Sequence, residues 1–291
     1  MSAMFQSRSV IFAGAAMLAC GLSFPALAQV SPPVTQNIVQ TYSDTAVMAE
    51  SAPLILIAEI KSLRAVDQGV PGAQPGMALS YVTAIPREAL RGITPGTALV
   101  EYLAYVPLDA RGRLPNLRKQ AVVLFARPVP GAITGEIARV QLMTPGAQWL
   151  WSAELDKRLR GVLSDLGTPG APATVTGVSE AIYQPGTLAG EGETQLFLST
   201  AGGAPASITV RHRPGAAPAW SVSFSEVVDM DGKPPAKDTL AWYRLACSLP
   251  ERLPDAAQVS PDGDARLQAM RDYLLVRADL GPCGRTDASR P

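Results

Sequence analysis

Between Leu54 and Leu142 the chain falls into five short runs of apolar and β-branched residues, each closed by a turn signal. That rhythm leaves few folds open to the N-terminal half. Residues 54–60 read as a buried strand, and a loop rich in glycine and proline follows at 69–76. Further strands are predicted over 79–85, 99–106 and 121–125. In the last run Val140 and Leu142 alternate with Arg139 and Gln141, the period of a half-buried strand. Pro86 cannot donate to a ladder, so the second strand is predicted to lie at an edge or to bulge there. Five short strands joined by turns specify a small barrel or sandwich.

The order of these runs carries a resemblance. A short helix around 44–52 precedes a strand ending in small residues. A long strand then runs into Leu90-Arg91-Gly92, and a turn at Thr94-Pro95-Gly96 leads to the strands that follow. Over about residues 45–145 this resembles the OB-like β-barrels of many exported bacterial proteins. The resemblance implies a fold and no function, because such barrels host unrelated activities.

Ser152 is placed to cap a helix in which Leu155, Leu159, Val162, Leu163 and Leu166 recur at helical spacing, with Gly167 as its stop. Residues 168–173 have the composition of a linker. Beyond it, 175–183 opens a second set of strands. Leu196 and Leu198, Ile208 and Val210, then Trp220, Val222 and Phe224 each alternate with polar neighbours. Turns at Gly202-Gly203 and Pro214-Gly215 separate these runs, which predicts an antiparallel meander with one wet face. Two helices follow. Asp238 is the expected cap of the first, where Leu240, Tyr243 and Cys247 share a face; Leu267, Met270, Leu274 and Ala278 share a face of the second, which stops at Gly281-Pro282.

The first 28 residues read as an address. Arg8 gives a positive start, residues 10–24 are almost wholly apolar, and Ala26-Leu27-Ala28 presents small residues where a signal peptidase reads them. Cleavage is expected before Gln29, releasing the mature chain into the periplasm. The alternative is a lipoprotein anchored through Cys20, although Leu18 is bulky for that processing site. Removing the peptide leaves 24 basic and 25 acidic side chains, a near-neutral balance that argues against nucleic acid as a partner. No second apolar run has the ~18–20 residues of a membrane-spanning helix, so no transmembrane segment is expected in the mature chain. Cys247 and Cys283 then remain as a pair in an oxidising compartment and are expected to form a structural disulfide.

The mature chain carries no catalytic or cofactor signature, and no cofactor or metal is expected. His212 is the only histidine and lies between Arg211 and Arg213, two cations that disfavour its charged form. Residues 177–181 (Gly-Val-Ser-Glu-Ala) lack the second glycine of a nucleophile elbow. Asp229-Met230-Asp231-Gly232 echoes a calcium loop, but the register puts Val227 at position one and Asp238 at position twelve. Glu191 and Glu193 are the pair that a carboxylate-dependent hydrolase would use. Arg111, Arg113, Arg118 and Lys119 form a basic cluster with Asp109 the only acid nearby, suited to an anionic envelope component. Trp149 and Trp151 share one face of an extended chain, where they would stack on a ligand or pack the following helix.

These features resemble the uncharacterised exported (periplasmic) families of Gram-negative bacteria, a resemblance that assigns no functional residue. The expected fold is mainly β in an α+β arrangement: a barrel-like, OB-like domain (44–150) behind a signal peptide (1–28) and leader (29–43). A connecting helix and linker (151–173) leads to a meander buttressed by two helices (174–283) and a disordered tail (284–291). The expected function is that of a non-catalytic envelope accessory or binding protein, with an anionic envelope component or another periplasmic protein as partner. The alternative is a carboxylate-dependent hydrolase of an envelope substrate.

Overall fold

The computed structural model describes residues 40–66, 75–92, 96–225 and 232–286. Ala26, Ala28, Gln29 and Cys20, residues 29–39 and the acidic turn at 229–231 lie outside the described residues. Helix α1 (Tyr42–Ser51) opens the fold through a capping box in which Thr41 and Asp44 satisfy each other's backbone amides. Five strands follow: β1 (Leu54–Ala65), β2 (Met77–Arg91), β3 (Leu99–Pro107), β4 (Ala121–Thr134) and β5 (Ile137–Leu142). They pair in the order β1-β2-β3-β5-β4, and β4 pairs back onto β1 to close a barrel. Closure removes the free edges that an open sheet would expose. Every pairing is antiparallel except β3 with β5, which run parallel from Leu99↔Ile137 to Glu101↔Arg139.

The burial pattern follows from this closure. On β3, Val100, Tyr102, Ala104 and Val106 point inward and their neighbours outward. On β1 and β4 both faces are covered, so Leu54, Ile55 and Leu56 and the run 122–126 are buried without alternation. Ala58 pairs with Pro86 and Ile57 with Glu88, so the ladder passes over Arg87, and the bulge falls where the proline predicted it. A short strand, β6 (Gln148–Leu150), adds to β4. The two tryptophans separate here. Trp149 is buried with its ring 4.6 Å from Phe125, whereas Trp151 lies past the strand end and is exposed.

Helix α2 (Ala153–Gly167) starts at Ser152, whose hydroxyl accepts from the Leu155 amide, and buries Leu155, Leu159 and Val162. The second sheet contains β7 (Val175–Pro185), β8 (Gly192–Thr200), β9 (Ser207–His212) and β10 (Ala219–Ser223), an antiparallel meander in chain order. Its apolar face is the expected one, with Leu196, Ile208, Val210 and Trp220 buried. The other face is not uniformly wet: Phe197 is exposed, while Thr209 and Ser221 are buried, and Thr209 donates to Gln195.

Helices α3 (Leu240–Ala246) and α4 (Gly263–Leu280) complete the fold. Thr239, not Asp238, caps α3 by accepting from the Trp242 amide. Asp238 instead adopts a left-handed backbone with φ 58°. Gly281 closes α4 at φ 68°, a conformation that favours glycine. The shared face of Leu267, Met270, Leu274 and Ala278 is the outer one, with Leu267 and Leu274 46% and 47% exposed. The inner face carries smaller residues, Ala265 and Ala269, with Tyr273, Val276, Leu280 and the charged Asp272. Tyr273 fills most of the space between α4 and its neighbours, and Asp272 is held there by hydrogen bonds.

Two ties bind these layers together. The Arg244 guanidinium, buried on α3, donates to both Glu50 carboxylate oxygens at 2.6 and 2.8 Å and to the Pro172 carbonyl. Thr174 donates to the same carboxylate, so the end of α1, the 172–174 segment and α3 meet at one ion pair. At the other end of α1, Asp44 accepts from the amide and hydroxyl of Thr286, both at 2.8 Å. Ordered contacts therefore reach into the stretch expected as a free tail.

Candidate functional site

The sequence-designated residues fall in four places. Cys247, at the end of α3, and Cys283, just past α4, form the disulfide. Ser43 on α1 donates to the Cys283 carbonyl, so the bridge fixes the C-terminal segment against α1 as well as α3. Arg111, Arg113, Arg118 and Lys119 lie exposed in the β3–β4 connection. There the Arg113 and Arg111 amides donate to Asp109 and hold its carboxyl below the usual range. The carboxylate thus serves to shape the loop, and Lys119 sits in left-handed backbone (φ 67°) beside its pairing with β1.

Glu191 and Glu193 are engaged separately. The Glu191 carboxylate accepts from the Leu188 amide inside the β7–β8 turn, and that of Glu193 accepts from Gln195. Each is used locally.

His212 has a partner that its neighbours in sequence did not reveal. Its Nε2 lies 2.9 Å from both carboxylate oxygens of Asp272, a residue of α4 that is 2% exposed. Thr194 on β8 and Gln268 on α4 donate to the same carboxylate. An ionised carboxylate only accepts, so three donors converge on it and the histidine proton sits on Nε2. Gly192 pairs with His212 across β8 and β9, and the Tyr183 hydroxyl occupies the space a Cβ at residue 192 would need. The two arginines that flank it in sequence gave no sign of the buried acid that faces it. The cluster seams α4 to β8 and β9.

A cleft of about 650 Å³ lies between the start of α1, one side of α2, the approach to α3 and the segment 282–284. That volume lies in the range of small-ligand sites. Trp242 and Val162 are its buried apolar members, and Tyr42 stands edge-on to Trp242 with ring centroids 6.5 Å apart. The indole N–H is spent on the Leu280 carbonyl. The Tyr42 hydroxyl is buried and has no hydrogen-bond partner among the described residues. Leaving such a group unpaired costs about 1–3 kcal/mol. Burial first, then the Asp165 and Asp238 carboxylates, push the Tyr42 hydroxyl up to about 12.

Charged groups of both signs stand around this floor. Glu154, Lys157, Arg158 and Asp165 come from α2, and Lys237 and Asp238 from the approach to α3. Arg158 is anchored by donating to the Gln40 carbonyl. Gly161 sits mid-helix between the charges of α2, and nothing lies within 4 Å of where its Cβ would be. Glycine in a helix interior costs about 1 kcal/mol relative to alanine, and here the missing side chain keeps the wall of the cleft open.

The titration of Tyr42 gives a pH prediction. Its folded pKa is raised from 10.0, so the neutral hydroxyl stabilises the fold fully below pH ~10 and that contribution is lost as pH rises through ~12. Chemical denaturation at pH ~9 and ~11.5 will show this loss, and Tyr42→Phe will reduce it. An identical pH dependence in the variant would refute the assignment.

Of the cleft residues, sequence reasoning designated only Cys283, and as half of a disulfide, because they come from four segments spread over residues 40–284. The one local signal was a glycine inside an otherwise good helical pattern. In comparisons with known proteins, no family model matches the chain and no curated protein matches its sequence.

Proposed function

We propose that the protein is an exported, periplasmic, non-catalytic binding protein of the envelope, and that the cleft between α1, α2, α3 and residues 282–284 holds its ligand. The observation that carries this reading is the cleft itself, with Trp242 and Val162 buried at its floor, charges of both signs around it and an open wall at Gly161. The disulfide supports the oxidising compartment, since it fastens one wall of the cleft. The barrel supports an OB-like reading of the N-terminal half: its strand order closes as β1-β2-β3-β5-β4, with β3 parallel to β5. In this reading the barrel is the scaffold, and the helices packed beside it carry the site.

The test is the mass of the protein recovered from its native host, measured native and then denatured without reductant. The expected result is a chain starting at Gln29, two hydrogens light, that loses a bound mass on denaturation. Gly161→Trp fills the cleft and will abolish the bound mass while leaving the fold intact by circular dichroism. A bound mass that persists in the variant would move the site elsewhere, and a chain starting at acylated Cys20 would replace periplasmic release by membrane anchoring.

A further inference from the structure

The charges of the cleft are ordered along α2. Lys157 and Arg158 stand about two turns before Asp165, with Gly161 between them. Seven residues of helix separate Arg158 from Asp165, a rise of about 10 Å. Asp238, on the approach to α3, lines the cleft with Asp165, and both carboxylates act on Tyr42. Glu154 and Lys237 add one opposite charge at each end, so the lining as a whole is balanced. Lys157, Asp165, Lys237 and Asp238 make no salt bridge among the described residues, which leaves them available to a ligand. A ligand carrying a single charge would engage one pole and leave the other without a counter-charge.

We infer that the cleft takes a zwitterion about 10 Å long: a short, unblocked peptide of about three residues, its carboxylate on Lys157 and Arg158 and its ammonium on Asp165 and Asp238. Three extended residues span about 10 Å, which matches the separation of the poles. The open wall at Gly161 gives room for a side chain, and Trp242 and Val162 supply the apolar floor. The inference rests on the cleft being the ligand site and adds the ligand's chemistry.

The test uses the mature, disulfide-bonded protein and tri-L-alanine in isothermal titration calorimetry. N-acetylation or C-amidation of the peptide is expected to weaken binding at least ~10-fold, the size of one lost charge-assisted contact. Lys157→Gln is expected to weaken the free-acid peptide and to leave the amide unchanged, which couples that side chain to the carboxylate. Gly161→Trp abolishes all binding. Equal affinity for blocked and unblocked peptides overturns the inference. So does a protein that fails to bind trialanine but still carries a co-purified mass sensitive to Gly161→Trp; that outcome leaves the cleft reading standing. Neither peptide binding nor a co-purified mass would overturn both.

Discussion

Replacing Cys247 and Cys283 together by alanine will lower the unfolding free energy by about 4 kcal/mol, the chain-entropy value for a bridge between residues 36 apart. The loss will not be uniform. Ser43 and Asp44 hold the segment around Cys283 and Thr286, so its release uncovers the first turn of α1 and removes one wall of the cleft. Hydrogen exchange will show protection falling there while β1 and β4 inside the barrel keep theirs. Urea titrations of the wild type and the double variant give the magnitude. A loss below about 1 kcal/mol would mean that the Asp44 and Ser43 hydrogen bonds hold the segment unaided. Reduction of the wild type with dithiothreitol will give the same result as the double variant.

The second large effect belongs to Asp272. Asp272→Ala will destabilise the fold by about 3 kcal/mol, because it strands three donors that converge on one buried carboxylate. Thr194 suffers most, being fully buried, while His212 and Gln268 have some access to water. Asp272→Asn will cost less: its amide N–H meets His212, which can shift its proton to Nδ1 and accept. Urea unfolding of the two variants distinguishes them, and equal losses would show that packing rather than hydrogen bonding sets the value.

The barrel was legible in the sequence because closure repeats one simple rule, alternation interrupted by turns, and because Pro86 marked its own bulge. The disulfide was legible by elimination, since two cysteines remained. Helix α4 was not. Its most apolar stripe, Leu267, Met270 and Leu274, faces outward, and its inner face contains two alanines and an aspartate. Periodicity identifies a shared face but not which face packs, and the packed face here mixes Tyr273 and Val276 with small and charged residues. The Asp272–His212 contact spans 60 residues, and no local pattern announces such a pair. Asp238 looked like a cap by residue type, but the cap is decided by backbone conformation, and Thr239 has the extended geometry that Asp238 lacks. The cleft was hidden for a related reason: every side chain in it is ordinary within its own segment.

The junction of Ser43 and Asp44 with Cys283 and Thr286 joins residues 240 and 242 positions apart. A chain is synthesised from its N-terminus, so α1 emerges with its cap formed but its long-range partners not yet made. The barrel strands can pair during that interval, whereas the first helix must wait for the last few residues of the fold. Loops of that length close slowly. Maturation is therefore completed by the C-terminal segment, and a chain interrupted between α3 and Cys283 would hold a finished barrel beside a helix whose first turn lacks its last partners.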